Sequence, residues 1–159
     1  MLGLDRMNFK GVIMDNLIII DTSGSMMEDG KKSVIMYIIN TIRNTLEEEL
    51  SIYLWDKEIK QFSGKLEFGV KNDPASLANF LDKYYDEPVI LITDGCFSSY
   101  IKSIIKKHSK KIVCILVGID SNIITLQKII GADNVYEASD TVACISRYIS
   151  LKGGESNCF

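Results

Sequence analysis

Ile18-Ile19-Ile20-Asp21-Thr22-Ser23-Gly24-Ser25-Met26 carries the first clear structural signal in this chain. Leu17–Ile20 is an unbroken apolar run between Asn16 and Asp21. Such a run, too short for a helix and without polar alternation, suits a strand buried on both faces, as in a parallel sheet. The run ends on an acid, and two hydroxyls follow at alternate positions before a helical pattern starts at Lys31. Gly24 lets the backbone turn tightly between the serines. A second run of the same kind, Val89-Ile90-Leu91-Ile92-Thr93, ends in Asp94, with Gly95 turning the chain away.

Working outward, Ile112–Val117 reads as another buried strand and 134–137 as a short last one. Leu50–Trp55 alternates more and is followed across Asp56-Lys57 by Glu58–Phe62. That pair reads as a hairpin, which adds an antiparallel edge strand. Helical patterns fill the gaps. Lys31–Glu48 sets Val34, Ile35, Ile38, Ile39, Ile42 and Leu46 on one face. Pro74–Tyr84 follows Asp73, a suitable N-cap, with proline in the first turn. Ser99–His108 comes next, then Ile123–Ile130 closed by Gly131, and Thr141–Ser150 with Asp140 placed to cap it. The order β-α-β-β-α-β-α-β-α-β-α predicts an α/β fold of three layers. A doubly wound, mostly parallel sheet with one antiparallel edge strand lies between helices on both faces. Residues 16–151 form this single domain, after an N-terminal extension (1–15) and before a flexible tail (152–159).

In sheets of this kind, ligands collect beyond the carboxyl ends of the strands, where the strand order reverses. If the strands ending in Asp21 and Asp94 are neighbours, two carboxylates and the Ser23 and Ser25 hydroxyls converge there, leaving room for water and one outside oxygen. Hard oxygen donors without His or Cys suit magnesium, manganese or, less well, calcium. The duller alternative makes Asp21 a strand-end acid and Ser23 or Ser25 a cap for the helix at Lys31. Thr93 reads as a strand-end hydrogen-bonding residue, Glu28 and Asp29 as solvated loop acids, and Trp55 as a packing residue between strand and helix. Met26 and Met27 are expected at the edge of the site or beneath it.

Asp21-x-Ser23-x-Ser25 within IIIDTSGSM, together with the later LITDG, resembles the metal-ion-dependent adhesion site of the von Willebrand factor A (vWA) family, in its intracellular bacterial form. The resemblance runs from Asn16 to Tyr148 and includes the order of elements. It implies that Ser23 and Ser25 ligate the metal directly, that Asp21 and Asp94 ligate it or hold its waters, and that a partner's acidic side chain fills the open position. It implies a protein-interaction module and no enzyme, with a protein partner such as an AAA+ ATPase or a kinase/phosphatase system in stress or conflict responses. The family usually adds a threonine from the loop before the second helix. Phe68–Pro74 contains none, so Asn72 or Asp73 supplies an oxygen in its place, or Asp73 only caps the helix.

Other chemistries fit less well. Gly24–Lys31 imitates a phosphate-binding loop, but five residues separate its glycines, Lys32 follows the lysine, and Glu28 and Asp29 would face the phosphates. Phosphoryl transfer to Asp21 normally needs a second Asp two residues on, where Ser23 stands, leaving no general acid. A purely structural cation is a third reading. His108, the only histidine, sits in a lysine-rich helix end and is expected on the surface, far from any nucleophile.

Composition agrees with these limits. Hydrophobic residues make up 47% of the 159 and charged residues 25%, an ordinary globular balance. The net charge of -3 and scattered basic residues leave no footprint for nucleic acid outside Lys106, Lys107, Lys110 and Lys111, a cluster read as a solvated helix end. The four cysteines form no C-x-x-C pair, and Cys114 and Cys144 read as core residues. No membrane-length apolar run or secretory signal is visible, and the expected compartment is the reducing cytoplasm.

Overall fold

The computed structural model describes residues 15–118 and 122–153. The N-terminal extension as far as residue 14, the last residues of the tail and Cys158 lie outside the described residues. The strands are β1 (Asn16–Asp21), β2 (Leu50–Trp55), β3 (Ile59–Gln61), β4 (Val89–Thr93), β5 (Ile112–Leu116) and β6 (Val135–Glu137). The helices are α1 (Lys31–Thr45), α2 (Pro74–Lys83), α3 (Ser99–Lys107), α4 (Ile123–Ile130) and α5 (Thr141–Lys152).

The sheet runs β3-β2-β1-β4-β5-β6. Every pairing is parallel except β2 with β3, which forms the expected antiparallel edge. From β1 the chain first builds outward to β2 and β3, then crosses back to lay β4 on the other side of β1. Ile20 lies opposite Ile92, so the carboxyl tips of β1 and β4 end side by side at the reversal.

Alternate residues of each central strand feed two separate cores. Ile18, Ile20, Ile90 and Ile92 pack under α1 and α5 with Ile35, Ile39, Ile42, Ile145 and Tyr148. Leu17, Ile19, Val89 and Leu91 pack on the other face with Leu77, Leu81, Ile101, Ile105 and Leu126 of α2, α3 and α4. Both faces being covered explains why these strands carry no polar alternation. Cys114 and Cys144 are buried, as their settings suggest.

Four details differ from the reading of the sequence. α1 stops at Thr45, short of Glu48, and Leu46 leaves the helix with φ -90° and ψ 79°. Glu47, Glu48 and Glu49 would set three negative charges against the negative end of the helix dipole, while buried Leu46 anchors the exit. Asp140 precedes α5 without a side-chain cap hydrogen bond. His108 is not a surface residue. It closes the last turn of α3, is only 5% exposed, and sets Nε2 3.3 Å from Asp82 Oδ1 on α2. Nor is the lysine cluster wholly solvated, since Lys111 Nζ donates to the Leu81 and Tyr84 carbonyls at 2.6 and 2.7 Å.

Burial, helped by the Lys111 and Lys107 charges, pushes the His108 imidazole below its ordinary value of 6.5 against the pull of Asp82. A group whose pKa is lower folded than unfolded gives its full stability above the unfolded value and loses it as pH falls through the folded one. The melting temperature of the wild type should therefore drop on going from about pH 7 to about pH 5. His108→Gln should flatten that drop, and equal slopes for the two proteins in melts followed by circular dichroism would refute the assignment.

Candidate metal and recognition site

The strand tips bring Asp21 and Asp94 to the place where the sheet changes direction, with Asp21 fully buried and Asp94 2% exposed. Asp21 Oδ1 accepts from Ser23 N at 2.9 Å and from Asn72 Nδ2 at 3.0 Å, and Oδ2 accepts from Thr93 Oγ1 at 2.7 Å. Thr93 Oγ1 in turn accepts from Gly95 N at 3.0 Å. Thr93 is thus a hydrogen-bonding residue, as its position suggests. Burial raises the Asp21 pKa, and the bonds from Thr93, Ser23 and Asn72 offset this only in part.

Ser23 and Ser25 do not cap α1, which begins after Gly30. Ser23 precedes, and Ser25 lies within, a short 3-10 turn, Gly24–Met27, that buries Met26 beneath the site and leaves Met27 exposed. The two hydroxyl oxygens lie 3.3 Å apart. Both serines, with Asn72, Val70, Cys96 and Tyr100, line an open cavity of about 560 Å³, to whose wall neither carboxylate contributes. The serines line the cavity, although Ser23 is only 8% exposed, and the carboxylates lie behind them.

The loop between β3 and α2 closes one side. Gly69 N donates to the Thr22 carbonyl at 2.8 Å and Gly24 N to the Val70 carbonyl at 3.2 Å, so two loops are laced together by backbone. Side chains at these glycines would intrude, since a Cβ on Gly69 would sit 2.6 Å from Asp56 Oδ2 and one on Gly24 3.3 Å from the Val70 oxygen. The two residues considered in place of the family threonine part company here. Asp73 caps α2, its Oδ2 accepting from Ser76 N at 3.2 Å. Asn72 reaches the centre and also donates to the Trp55 carbonyl at 3.1 Å. Trp55 is fully buried, packs by Phe97, and donates from Nε1 to the Asp73 carbonyl at 3.0 Å.

Asp94 Oδ1 accepts from Cys96 N at 3.0 Å. Its Oδ2 faces Lys31 Nζ at 3.2 Å, a contact that reading the sequence missed. Lys31 also donates to the Ser25 carbonyl at 2.9 Å and lies 3.4 Å from Glu28 Oε1. Glu28 is therefore engaged by this lysine, though it remains exposed. Burial alone would raise the Asp94 pKa. Hydrogen bonds from Ser25, Cys96 and Lys31, with the Lys31 charge, outweigh it and hold the carboxyl below its usual value. The only hint of this in the sequence is a lysine at the first turn of a helix that follows the D-x-S-x-S stretch, a poor place for a cation on dipole grounds.

Among the described residues, no three or more His, Cys, Asp or Glu side chains gather as a metal-holding group. The cluster at the strand tips is instead two carboxylates, two hydroxyls and a carboxamide. Nor is any helix among the described residues long and apolar enough to cross a membrane.

Comparison with solved structures bears on the fold. The chain is similar to the ArnB paralog VWA2 of Sulfolobus acidocaldarius, at 21% identity and a TM-score of 0.53, over 80% of this chain and 42% of that one. It is similar also to a von Willebrand factor type A protein of Catenulispora acidiphila, at 16% identity and a TM-score of 0.54, over 88% of this chain and 42% of that one. The fold is vWA-like, and the chain spans about two fifths of the length of either structure. No protein-family model and no curated protein sequence matches it.

The network around Asp21 predicts a specific weakness. Thr93→Val keeps the shape of the side chain but strips a donor from Asp21 and an acceptor from Gly95 N. Urea denaturation should show a loss of about 1–3 kcal/mol, the usual cost of an orphaned buried polar group. A loss within error of zero would mean that this bond does not organise the strand tips.

Proposed function

We propose that this chain is a protein-interaction module that recognises its partner through a divalent cation, with a Glu or Asp of the partner completing the coordination. Magnesium or manganese suits the donors better than calcium; Ser23 and Ser25 would hold it directly and Asp21 and Asp94 from behind them, through its waters, with Asn72 beside them in the place of the family threonine. The observation that carries this reading is the convergence of two strand-tip carboxylates behind two hydroxyls that face an open cavity. The two carboxylates and two hydroxyls are hard oxygen donors, the chemistry these cations prefer.

A cation held there supplies a fixed positive charge for an acidic side chain to bond. The chain's own residues do the rest. Ser23 and Ser25 present their oxygens at the cavity wall, and Asp94 is kept ionised. Asp21, buried and bonded, fixes the turn that carries the serines. Exposed Met27, Val70 and Tyr100 give nearby apolar surface for the partner to cover. A contact of this kind fixes orientation and specificity as much as affinity.

The same geometry speaks against using Asp21 as a phosphoryl acceptor, because both its oxygens are engaged and it has no exposed surface. His108 lies by Asp82 near the amino end of β5 and offers this site no base. A non-catalytic role in the cytoplasm, beside an AAA+ ATPase or a kinase/phosphatase system, completes the proposal and rests on the family resemblance.

The test is a pull-down from native lysate with and without EDTA, comparing wild type with Asp21→Ala and with Ser23→Ala/Ser25→Ala. Partners should be captured only by metal-loaded wild type, and magnesium-dependent hydrolysis of phosphate esters should be absent. Partners retained in EDTA and by the double-serine variant would sink the adhesion-type mechanism. A chelator effect on melting temperature without one on capture would favour a structural ion.

A further inference from the structure

Lys31 occupies a place that needs explaining. It is the first residue of α1, where a cation meets the positive end of the helix dipole, yet it is only 8% exposed. Its ammonium is held by three oxygens, of Ser25, Asp94 and Glu28, at 2.9, 3.2 and 3.4 Å. The stem runs against Gly118, just after β5, where a Cβ would sit 2.7 Å from Lys31 Cε. Gly118 also has φ +100°, a conformation side chains rarely adopt, so this slot depends on glycine. The lysine is thus built into the site from two directions.

Its electrostatic consequence is direct. Asp21 and Asp94 would present two negative charges to a cation, and the Lys31 ammonium cancels one of them. It also occupies Asp94 Oδ2, while Oδ1 is taken by Cys96 N, so an incoming ion meets a carboxylate whose oxygens both have donors.

We propose that Lys31 is an internal counter-cation that sets how weakly this site holds divalent metal, by neutralising Asp94 and competing for its oxygen. This rests on the metal-binding reading and adds its regulation. A site carrying such a competitor loads only when free metal is abundant or when further negative charge arrives.

The test uses Mn2+ as probe, titrated by calorimetry into wild type, Lys31→Met and Lys31→Gln, with metal-free melting curves taken alongside. Both variants remove the charge, Met keeping the apolar stem and Gln a polar head. Each should bind Mn2+ at least about tenfold more tightly than wild type, a floor for removing one unit charge a few ångströms from a divalent ion at a protein surface. A measurement without mutation runs in parallel, in which the Lys31 Cε signal of wild-type protein carrying isotope-labelled lysine is followed by NMR during a Mg2+ titration. It should move as the site fills. Equal Mn2+ affinity in all three proteins, abolished by Asp94→Ala, or an unmoved Lys31 signal while Mg2+ binds, overturns the role of Lys31 and leaves the metal reading standing. No Mn2+ binding by any of them overturns both.

Discussion

A carboxylate with no exposed surface must find its hydrogen bonds inside the protein, and that requirement at Asp21 organises one end of the sheet. Its donors come from three places, the Thr93 hydroxyl at the tip of β4, the Asn72 carboxamide from the loop after β3, and the Ser23 N–H two residues on. Satisfying one side chain therefore holds the neighbouring strand, the enclosing loop and the serine turn in register. The Trp55 carbonyl at the end of β2 accepts from Thr22 N, Thr22 Oγ1 and Asn72 Nδ2, which ties the same pieces together again. An unpaired group in such a place costs a few kcal/mol, comparable with a large part of a domain's net stability.

Two carboxylates share this end of the molecule and are treated differently. Asp21 is supplied with neutral donors and is left harder to ionise by its burial. Asp94 has a lysine beside it and is easier to ionise than usual. At 3.2 Å the Lys31–Asp94 pair has roughly 5 kcal/mol of gross Coulomb attraction at an effective dielectric of ~20, much of it offset by desolvation. The result is an anionic centre whose charge is partly compensated, behind serines that line the cavity. Such an arrangement suits reversible binding better than permanent occupation by an ion.

The solved structures share the fold at low identity, so they set the architecture and leave the chemistry to this chain's own residues. Asp73 and Asn72 illustrate the point. Either could offer an oxygen from the loop before α2. Proline at the first turn of that helix makes Asp73 the natural cap, and this turns its carboxylate toward Ser76. Asn72, one residue earlier, is then the side chain that reaches Asp21.

Sequence alone determined the apolar runs as strands, the spacing of Ile35, Ile39 and Ile42 as one helix face, and the α/β order with its antiparallel edge, and it singled out Asp21, Ser23, Ser25 and Asp94 at the strand ends. These are local properties, because burial on both faces removes alternation and a turn needs its own glycine. Tertiary structure alone decided that the tips of β1 and β4 lie side by side, that Lys31 reaches Asp94 across 63 positions of chain, and that His108 is buried against Asp82. Each of these depends on how distant segments pack, and a charged or polar side chain carries no sign in its neighbours of which partner the fold will bring to it.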